Sequence, residues 1–165
     1  MSAGPPSGIW LDIDIDAQQL RLLRGRRELD RYPVSTARNG RGQEEGSFCT
    51  PTGWHYVRAR IGEGLPAGAV FRGRRWTGEI CDDDLYASDP GRDWILTRIL
   101  WLCGLEPGHN RLGSVDSMRR YIYLHGCPDQ LPVGRPASKG CVRLGNGDML
   151  ALFPRVPAGA RVRIY

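Results

Sequence analysis

The stretch HGCPDQLPVGRPASKGCVRLGN, from His125 to Asn146, places a histidine and a cysteine among glycines and prolines. His125 and Cys141 are too far apart to be neighbours on a helix, but a strand end and a returning loop can bring them together. A thiol becomes a strong nucleophile once it is deprotonated, and an imidazole within hydrogen-bond reach can accept that proton. The stretch therefore predicts a thiolate–imidazolium pair, with a structural histidine and a small buried cysteine as the alternative.

The residues around Cys141 extend this hypothesis. Gly140 leaves the backbone open to close approach, and the amides of residues 139–141 can point at a developing oxyanion. If the segment is extended, Arg143 shares a strand face with Cys141 and can hold a substrate carboxylate by a two-pronged contact. The pattern indicates acyl transfer on a substrate with an acidic group.

The sequence does not favour a zinc site or a dinucleotide site. His125, Cys127 and Cys141 supply three possible zinc ligands, but a fourth ligand cysteine and an HxE motif are missing, so we expect no metal. The glycine-rich segment NGRGQEEGSFCTPTG, residues 39–53, lacks the GxGxxG spacing of a dinucleotide site. We expect no cofactor, and we interpret this segment as a functional loop.

Composition and periodicity outside this stretch indicate a mainly β fold with short helices (α+β). Twenty-two glycines and 12 prolines favour turns and short strands. A mostly buried helix is predicted over residues 93–105, DWILTRILWLCGL, and a short one over 147–156, capped by Asn146 and Asp148. With no repeat or linker, one domain is expected over residues 1–165. Alternating apolar residues predict strands at 9–15, on both sides of Gly25 within 20–36, at 54–62, at 118–126 with His125 at its end, and at 160–165.

The formal net charge of +5 comes from arginines dispersed along the chain, with Lys139 as the only lysine. Scattered arginines are typical of a solvated surface, so we expect no nucleic-acid partner, while acidic substrates remain plausible.

The amino terminus, MSAGPPSGIWLDIDID, does not follow the pattern of a secretory signal peptide. The longest apolar run is interrupted by Arg98, so no membrane span is expected. Five cysteines without a CxxC pair fit a reducing compartment. The expected location is the cytoplasm, with the periplasm as the alternative.

The motifs HGC at 125–127 and SKGCVRL at 138–144 resemble those of the L,D-transpeptidase catalytic domain, also called the YkuD domain. The family pattern is a strand that ends in HG(T/S), a loop, and then (S/T)HGC(V/I)R(L/M/N). The segments YPVST at 32–36, TPTG at 50–53 and GARVRIY at 159–165 are also similar to this family, so the resemblance covers nearly the whole chain.

The resemblance implies a mixed β-sheet or β-sandwich fold with the site in a cleft under a loop. It implies that Cys141 is the nucleophile, that His125 is its base, and that the Gly126 carbonyl orients the imidazole. It also implies that Ser138 and Arg143 line the substrate site.

Two positions depart from the family pattern. Lys139 stands where the family usually has histidine, and Cys127 stands where it has threonine or serine. Lys139 can favour the thiolate electrostatically or simply point to solvent. Cys127 is a small-residue replacement or a redox partner of Cys141.

By resemblance, Cys141 attacks the bond between diaminopimelate and D-alanine in a peptidoglycan tetrapeptide stem and forms a thioester. The expected function is a murein tetrapeptide L,D-carboxypeptidase in peptidoglycan recycling, with free peptide or muropeptide as substrate. The alternatives are a periplasmic L,D-transpeptidase that forms cross-links or exchanges D-amino acids, and an inactive module that binds stems. The family also implies acylation of Cys141 by carbapenems.

Overall fold

The computed structural model describes residues 4–165, which form ten strands and two short α-helices. This confirms the mainly β fold class predicted from the sequence. The helices are α1 (Asp83–Ser88) and α2 (Asn146–Leu152), and single 3-10 turns lie at Gly113–Val115 and Phe153–Arg155. The strands are β1 (Ile9–Asp14), β2 (Gln19–Arg24), β3 (Arg27–Pro33), β4 (Gly53–Ile61), β5 (Ala69–Arg72), β6 (Arg75–Ile80), β7 (Ile95–Gly104), β8 (Tyr123–Cys127), β9 (Val142–Gly145) and β10 (Arg161–Ile164).

All ten strands belong to one mixed sheet with the order β3-β2-β1-β10-β4-β7-β5-β6; β8 branches from β7, and β9 pairs with β8. Most neighbours are antiparallel, but β1 pairs with β10 in parallel and β8 pairs with β9 in parallel. The first parallel pair joins the two ends of the described chain. The second parallel pair places the HGC motif beside the SKGCVRL motif.

The opening strands follow the predicted alternation. Leu11 and Ile13 on β1 and Leu20 and Leu22 on β2 are completely buried in the main hydrophobic core. The β1–β2–β3 meander turns at Gly25, where φ is +58°, a left-handed conformation that glycine adopts without steric cost. This core continues under β8, β9, α2 and β10, so it supports the face of the sheet opposite the site.

The predicted helix at residues 93–105 is wrong, because this segment forms β7. β7 pairs with β4, β5 and β8, and most of its side chains are buried whichever face they point to. A strand buried on both faces has a nearly continuous apolar sequence, which periodicity cannot distinguish from a buried helix.

Three further details differ from the prediction. The strand at 118–126 begins only at Tyr123, so His125 lies in its middle rather than at its end. The cap of α2 is Gly145, which has no side chain, whereas the predicted caps Asn146 and Asp148 both lie within the helix. The Asn146 carboxamide oxygen accepts from Thr97 Oγ1 at 2.6 Å. The hairpin β5–β6 and helix α1 lie in a segment that sequence patterns left unassigned.

Within residues 4–165, the longest apolar helical stretch falls well short of what crossing a bilayer requires.

Candidate active site

The register of β8 and β9 places the two predicted catalytic side chains on one face of the sheet. In this parallel pair His125 lies opposite Arg143, and Leu124 lies opposite Val142. Because side chains alternate between faces, Leu124 and Val142 point into the core, whereas His125 and Arg143 point to the other side. Cys141 lies directly before β9, two positions before Arg143, and its side chain is on this same side, because it lines one cavity with His125.

A cavity of about 520 Å³ lies over this face. Its size is typical of sites for small ligands. Cys141, His125, Ser138, Lys139 and Arg143 all contribute to its wall, so the structure brings five of the seven predicted site residues together. The other lining residues are Phe48, Gly73, Arg74, Asp93, Ile95, Arg120, Tyr121 and Tyr123.

The His125 ring is held by a backbone carbonyl. Its Nδ1 atom lies 2.6 Å from the carbonyl oxygen of Gly126, which can only accept a hydrogen bond. Nδ1 therefore carries the proton, and in the neutral ring the lone pair is on Nε2. Burial lowers the pKa of His125 to about 4, against the raising effect of the Gly126 hydrogen bond. At neutral pH the ring is thus an uncharged base, and its Nε2 makes no hydrogen bond within residues 4–165.

Gly126 itself is required by close packing. A Cβ atom at this position would lie 2.8 Å from the Leu96 carbonyl oxygen and 3.1 Å from Thr97 Cβ. The register of β7 against β8 shifts between Leu96 and Ile99, which is a β-bulge directly beside His125. The bulge and the missing side chain together let the Gly126 carbonyl approach the imidazole.

The Cys141 thiol lies between two backbone groups at the start of β8. Its Sγ atom donates to the Tyr121 carbonyl oxygen at 3.3 Å and accepts from the Tyr123 amide at 3.4 Å. Burial, together with a smaller contribution from the charge of Asp93, raises the pKa of this thiol to about 12. The Tyr123 amide and the positive charges of Arg143 and Arg120 act in the opposite direction.

These pKa directions differ from the thiolate–imidazolium pair that the sequence suggests. Burial favours the uncharged form of both Cys141 and His125, and within residues 4–165 they share no hydrogen bond. The arrangement is instead that of a neutral thiol with a neutral base on the same face. Such a base can remove the proton as the sulfur attacks.

The turn before Cys141 is fixed by Ser138 and Gly140. The Ser138 hydroxyl donates to the Cys141 carbonyl oxygen at 2.6 Å and accepts from the Gly140 amide at 3.2 Å. Gly140 has φ +132°, and a Cβ atom there would lie 3.2 Å from the Cys49 carbonyl oxygen. The Gly140 amide is thus occupied by Ser138, and the Cys141 amide is the better candidate for an oxyanion contact.

Lys139 and Arg143 hold different positions at the cavity. Lys139 is exposed at the rim. Arg143 is partly buried, and its guanidinium makes one long hydrogen bond, 3.4 Å, to the Ala137 carbonyl oxygen. Most of its donors therefore remain available for a ligand.

Sequence patterns missed Arg74, Asp93 and Arg120, which come to the cavity from distant parts of the chain. Arg74 lies at the β5–β6 turn, where its guanidinium donates to the Tyr123 hydroxyl at 3.1 Å and lies 4.7 Å from the Trp101 ring centroid. Asp93 lies two residues before β7. No local motif marks any of the three.

Arg120 ties the glycine-rich loop to the cavity wall. Its guanidinium donates to the carbonyl oxygens of Gly42, Gln43 and Cys49, at 3.2, 3.1 and 2.7 Å. The end of this loop presents Phe48 at the cavity mouth. The predicted functional loop therefore does border the site.

Three of the cavity residues have unusual backbones. Phe48, Arg74 and Tyr121 have φ values of +57°, +64° and +57°, in the left-handed region that non-glycine residues rarely adopt. Strained residues of this kind cluster at functional sites, where the surrounding structure holds them in place. Their gathering around Cys141 is a signal independent of the motif.

The remaining cysteines and histidines lie outside the cavity. Cys127 is buried and donates to the Leu144 carbonyl oxygen at 3.4 Å, and all five cysteines are free. His55 is buried, with its Nε2 2.9 Å from Ser117 Oγ. Within residues 4–165 no three His, Cys, Asp or Glu side chains are grouped to hold a metal ion.

A family model of the L,D-transpeptidase catalytic domain (YkuD) matches residues 8–164. A search of curated proteins finds no match. Solved structures similar to this chain include an L,D-transpeptidase from Xylanimonas cellulosilytica, 21% identical, with a TM-score of 0.56 over 100% of this chain and 65% of that one. An L,D-transpeptidase from Mycobacterium smegmatis is 19% identical, with a TM-score of 0.55 over 95% of this chain and 58% of that one.

A third similar structure is LD transpeptidase LdtMt1 in complex with imipenem, 15% identical, with a TM-score of 0.56 over 96% of this chain and 59% of that one. The present chain thus spans about three fifths of the length of these proteins. At these identities the likeness concerns the fold.

Proposed function

The chain belongs to the L,D-transpeptidase catalytic domain family, and from this premise we propose that it is a cysteine acyltransferase acting on peptidoglycan tetrapeptide stems. The observation that carries the proposal is the placement of Cys141 and His125 on one face of β8 and β9, inside one cavity. A nucleophile and a base in such a position are the minimum that acyl transfer requires.

The first half-reaction transfers the stem to the enzyme. His125 Nε2 takes the thiol proton while Cys141 Sγ attacks the diaminopimelate carbonyl carbon, and a tetrahedral oxyanion forms. The Cys141 amide is the proposed donor to that oxyanion. As the oxyanion collapses, the bond to the D-alanine nitrogen breaks and His125 returns the proton to this nitrogen. D-alanine leaves, and a thioester remains on Cys141.

For the second half-reaction we propose water as the acceptor, which makes the protein a murein tetrapeptide L,D-carboxypeptidase of peptidoglycan recycling. His125, again neutral, takes a proton from the water, which attacks the thioester, and the tripeptide leaves with Cys141 restored as a thiol. The cavity of about 520 Å³ has room for one small peptide, and this supports water as the acceptor rather than a second stem peptide. We include a cytoplasmic location in this proposal.

The second candidate is a periplasmic L,D-transpeptidase that uses an amine acceptor. The additional cavities that adjoin the Cys141 cavity favour it, because an acceptor stem needs space beyond the donor. The two candidates share the first half-reaction and differ in what resolves the thioester.

Mass spectrometry of a diaminopimelate tetrapeptide incubated with the protein tests the proposal, with and without added D-methionine or glycine. Loss of one D-alanine, little changed by the amino acids, supports the carboxypeptidase. Exchange products or cross-linked dimers support the transpeptidase instead. The Cys141→Ala variant is the control and forms no product in either case. An unchanged peptide with the wild-type protein overturns the enzyme proposal in favour of a binding module.

Imipenem provides a second, independent readout of Cys141. A β-lactam that acylates the thiol opens its ring and adds its whole mass to the protein. Intact-mass analysis should show one adduct on the wild-type chain and none on Cys141→Ala. An adduct that persists in the variant would place the reactive thiol elsewhere.

A further inference from the structure

Two cavities extend the Cys141 site along the segments at 35–38 and 135–138. One of about 330 Å³ is lined by Arg38, Lys139 and Arg143 among others, and one of about 340 Å³ is lined by Arg38, Arg135 and Arg143. Arg143 also lines the Cys141 cavity, as does Lys139. We call the surface formed by Arg38, Arg135, Lys139 and Arg143 the cationic groove. It is continuous with the nucleophile's cavity.

No acidic residue among the described ones lines either of these two cavities. Within residues 4–165 none of the four basic side chains forms an ion pair, whereas Arg21, Arg92, Arg155 and other arginines pair with carboxylates elsewhere on the surface. Four like charges that converge without a counter-ion form a positive surface that attracts anions.

The backbone holds these side chains in a defined arrangement. The Arg38 amide donates to the Ser138 carbonyl oxygen, and the Arg143 amide donates to that of Ser35, both at 2.9 Å. The Ser35 hydroxyl donates to the Arg135 carbonyl oxygen at 2.8 Å. The groove is therefore built on three segments that are tied to one another, and its Cα positions are set before a ligand arrives.

Arginine and lysine side chains carry hydrogen-bond donors and no acceptor. A carboxylate accepts from them and carries the complementary charge, which makes the contact both short and strong. A carboxamide at the same position has no charge, and its NH₂ group faces donors with which it cannot pair. The groove therefore distinguishes a free carboxylate from its amide.

We propose that the cationic groove makes this protein selective for stem peptides whose side carboxylates are free, over stems in which they are amidated. The inference rests on the proposed function for the identity of the ligand. It assigns Arg38 and Arg135 as specificity-determining residues, in addition to the motif residues.

Calorimetry with the Cys141→Ala variant tests the inference without turnover. Two diaminopimelate tetrapeptides are compared, one with free side carboxylates and one with those carboxylates amidated. The free peptide should bind about tenfold or more tightly, corresponding to one lost charge-assisted contact. Adding Arg38→Gln and Arg135→Gln should reduce this ratio to below about threefold. The matched control, Arg26→Gln, alters an exposed arginine in the β2–β3 turn and should leave the ratio unchanged.

Equal affinity for the two peptides, binding of neither, or a ratio unaffected by the double substitution would overturn the inference. Turnover by the wild-type chain separates this failure from that of the proposed function. If both peptides lose D-alanine at equal rates, the proposed function stands and the selectivity is wrong. If the free peptide binds selectively but is not cleaved, the selectivity stands and the proposed function is wrong.

Discussion

The environment of Cys141 and His125, rather than their identity, favours the uncharged form of both side chains. Burial disfavours the charged form of each group, so it raises the pKa of the thiol and lowers that of the imidazole. The Gly126 carbonyl fixes the tautomer that leaves Nε2 as the base. In the proposed reaction, proton transfer to His125 accompanies nucleophilic attack, because burial disfavours an ion pair in the resting site.

The pH dependence of turnover should reflect this neutral base. Because the pKa of His125 is about 4, kcat/KM should stay level from pH 7 to about 5 and fall as the pH approaches 4. His125→Asn should lower kcat by about 10²–10⁴-fold with little change in KM. Steady-state kinetics on the tetrapeptide measure both effects, with His109→Asn, at an exposed histidine, as the control. An acid limb near the ordinary histidine pKa would contradict a buried, neutral imidazole.

Asp93 provides a test of the thiol itself. Its negative charge raises the pKa of Cys141, so Asp93→Asn should lower that pKa and increase the thiolate fraction. We expect iodoacetamide to alkylate Cys141 about two- to tenfold faster at pH 8 in the variant, since one pKa unit is a factor of ten. Peptide mass spectrometry distinguishes Cys141 from the other cysteines. Asp148→Asn, at an aspartate on α2 that does not line the cavity, should leave the rate unchanged; a similar increase there would point to a general effect of net charge.

At the scale of elements, the site depends on a short parallel pair beside a distorted antiparallel strand. β8 and β9 present His125 and Arg143 on one face, and the bulge in β7 makes room for Gly126. Thr97, in this bulge, has φ +75° and binds Asn146 at the start of α2. The helix α2, the bulge in β7 and the strand β8 are thus connected through side-chain and backbone contacts.

Gly126→Ala should disrupt this junction. The added methyl group meets the Leu96 carbonyl oxygen and Thr97, and both are held by sheet and side-chain contacts. Overpacking of this kind costs about 1–3 kcal/mol, which urea denaturation can measure. Gly147→Ala, in α2, is the matched control because a methyl group there meets nothing within 4 Å. It should be neutral or stabilising by up to about 1 kcal/mol, and equal losses in both variants would contradict this account of Gly126.

At the scale of the whole molecule, two buried histidines couple folding to pH. Burial lowers the pKa of His55 to about 4, as it does for His125. His55 lies far from the site in sequence and is enclosed by hydrogen bonds to Gly53 and Ser117. Between the ordinary histidine pKa and 4 the unfolded chain binds protons that the folded chain does not. Stability therefore decreases as the pH falls through this range.

Each of the two histidines should contribute up to about 3 kcal/mol of this loss. The free energy of unfolding of the wild-type protein should decrease between pH 6.5 and 4. In His55→Gln this decrease should be smaller by about that amount, although the variant is already less stable at pH 7. Urea denaturation at several pH values measures the slope, and His109→Gln is the control at an exposed histidine. If stability depends on pH equally in the wild type and in His55→Gln, folding does not lower the pKa of His55, which contradicts this prediction.

Much of the fold and part of the site could be predicted from the amino-acid sequence. Alternation over Ile9–Ile15 and at 160–165 predicted strands that β1 and β10 confirm, because one face of each is buried. The motif residues from Ser138 to Arg143 lie together because they are close in the chain and adjacent to β8. The roles assigned to Cys141 and His125 remain predictions until the variants are measured.

Sequence alone thus determined the β-rich class and the family, and it predicted Cys141 and His125 as the reacting pair, since periodicity and short motifs are local. Tertiary structure decided that 93–105 is a strand, because its burial on both faces depends on neighbours from distant segments. It also decided that Arg74, Asp93 and Arg120 line the cavity of Cys141, and that burial favours the uncharged forms of the thiol and the imidazole. Burial and long-range electrostatics are properties of the assembled fold, so no window of the sequence contains them.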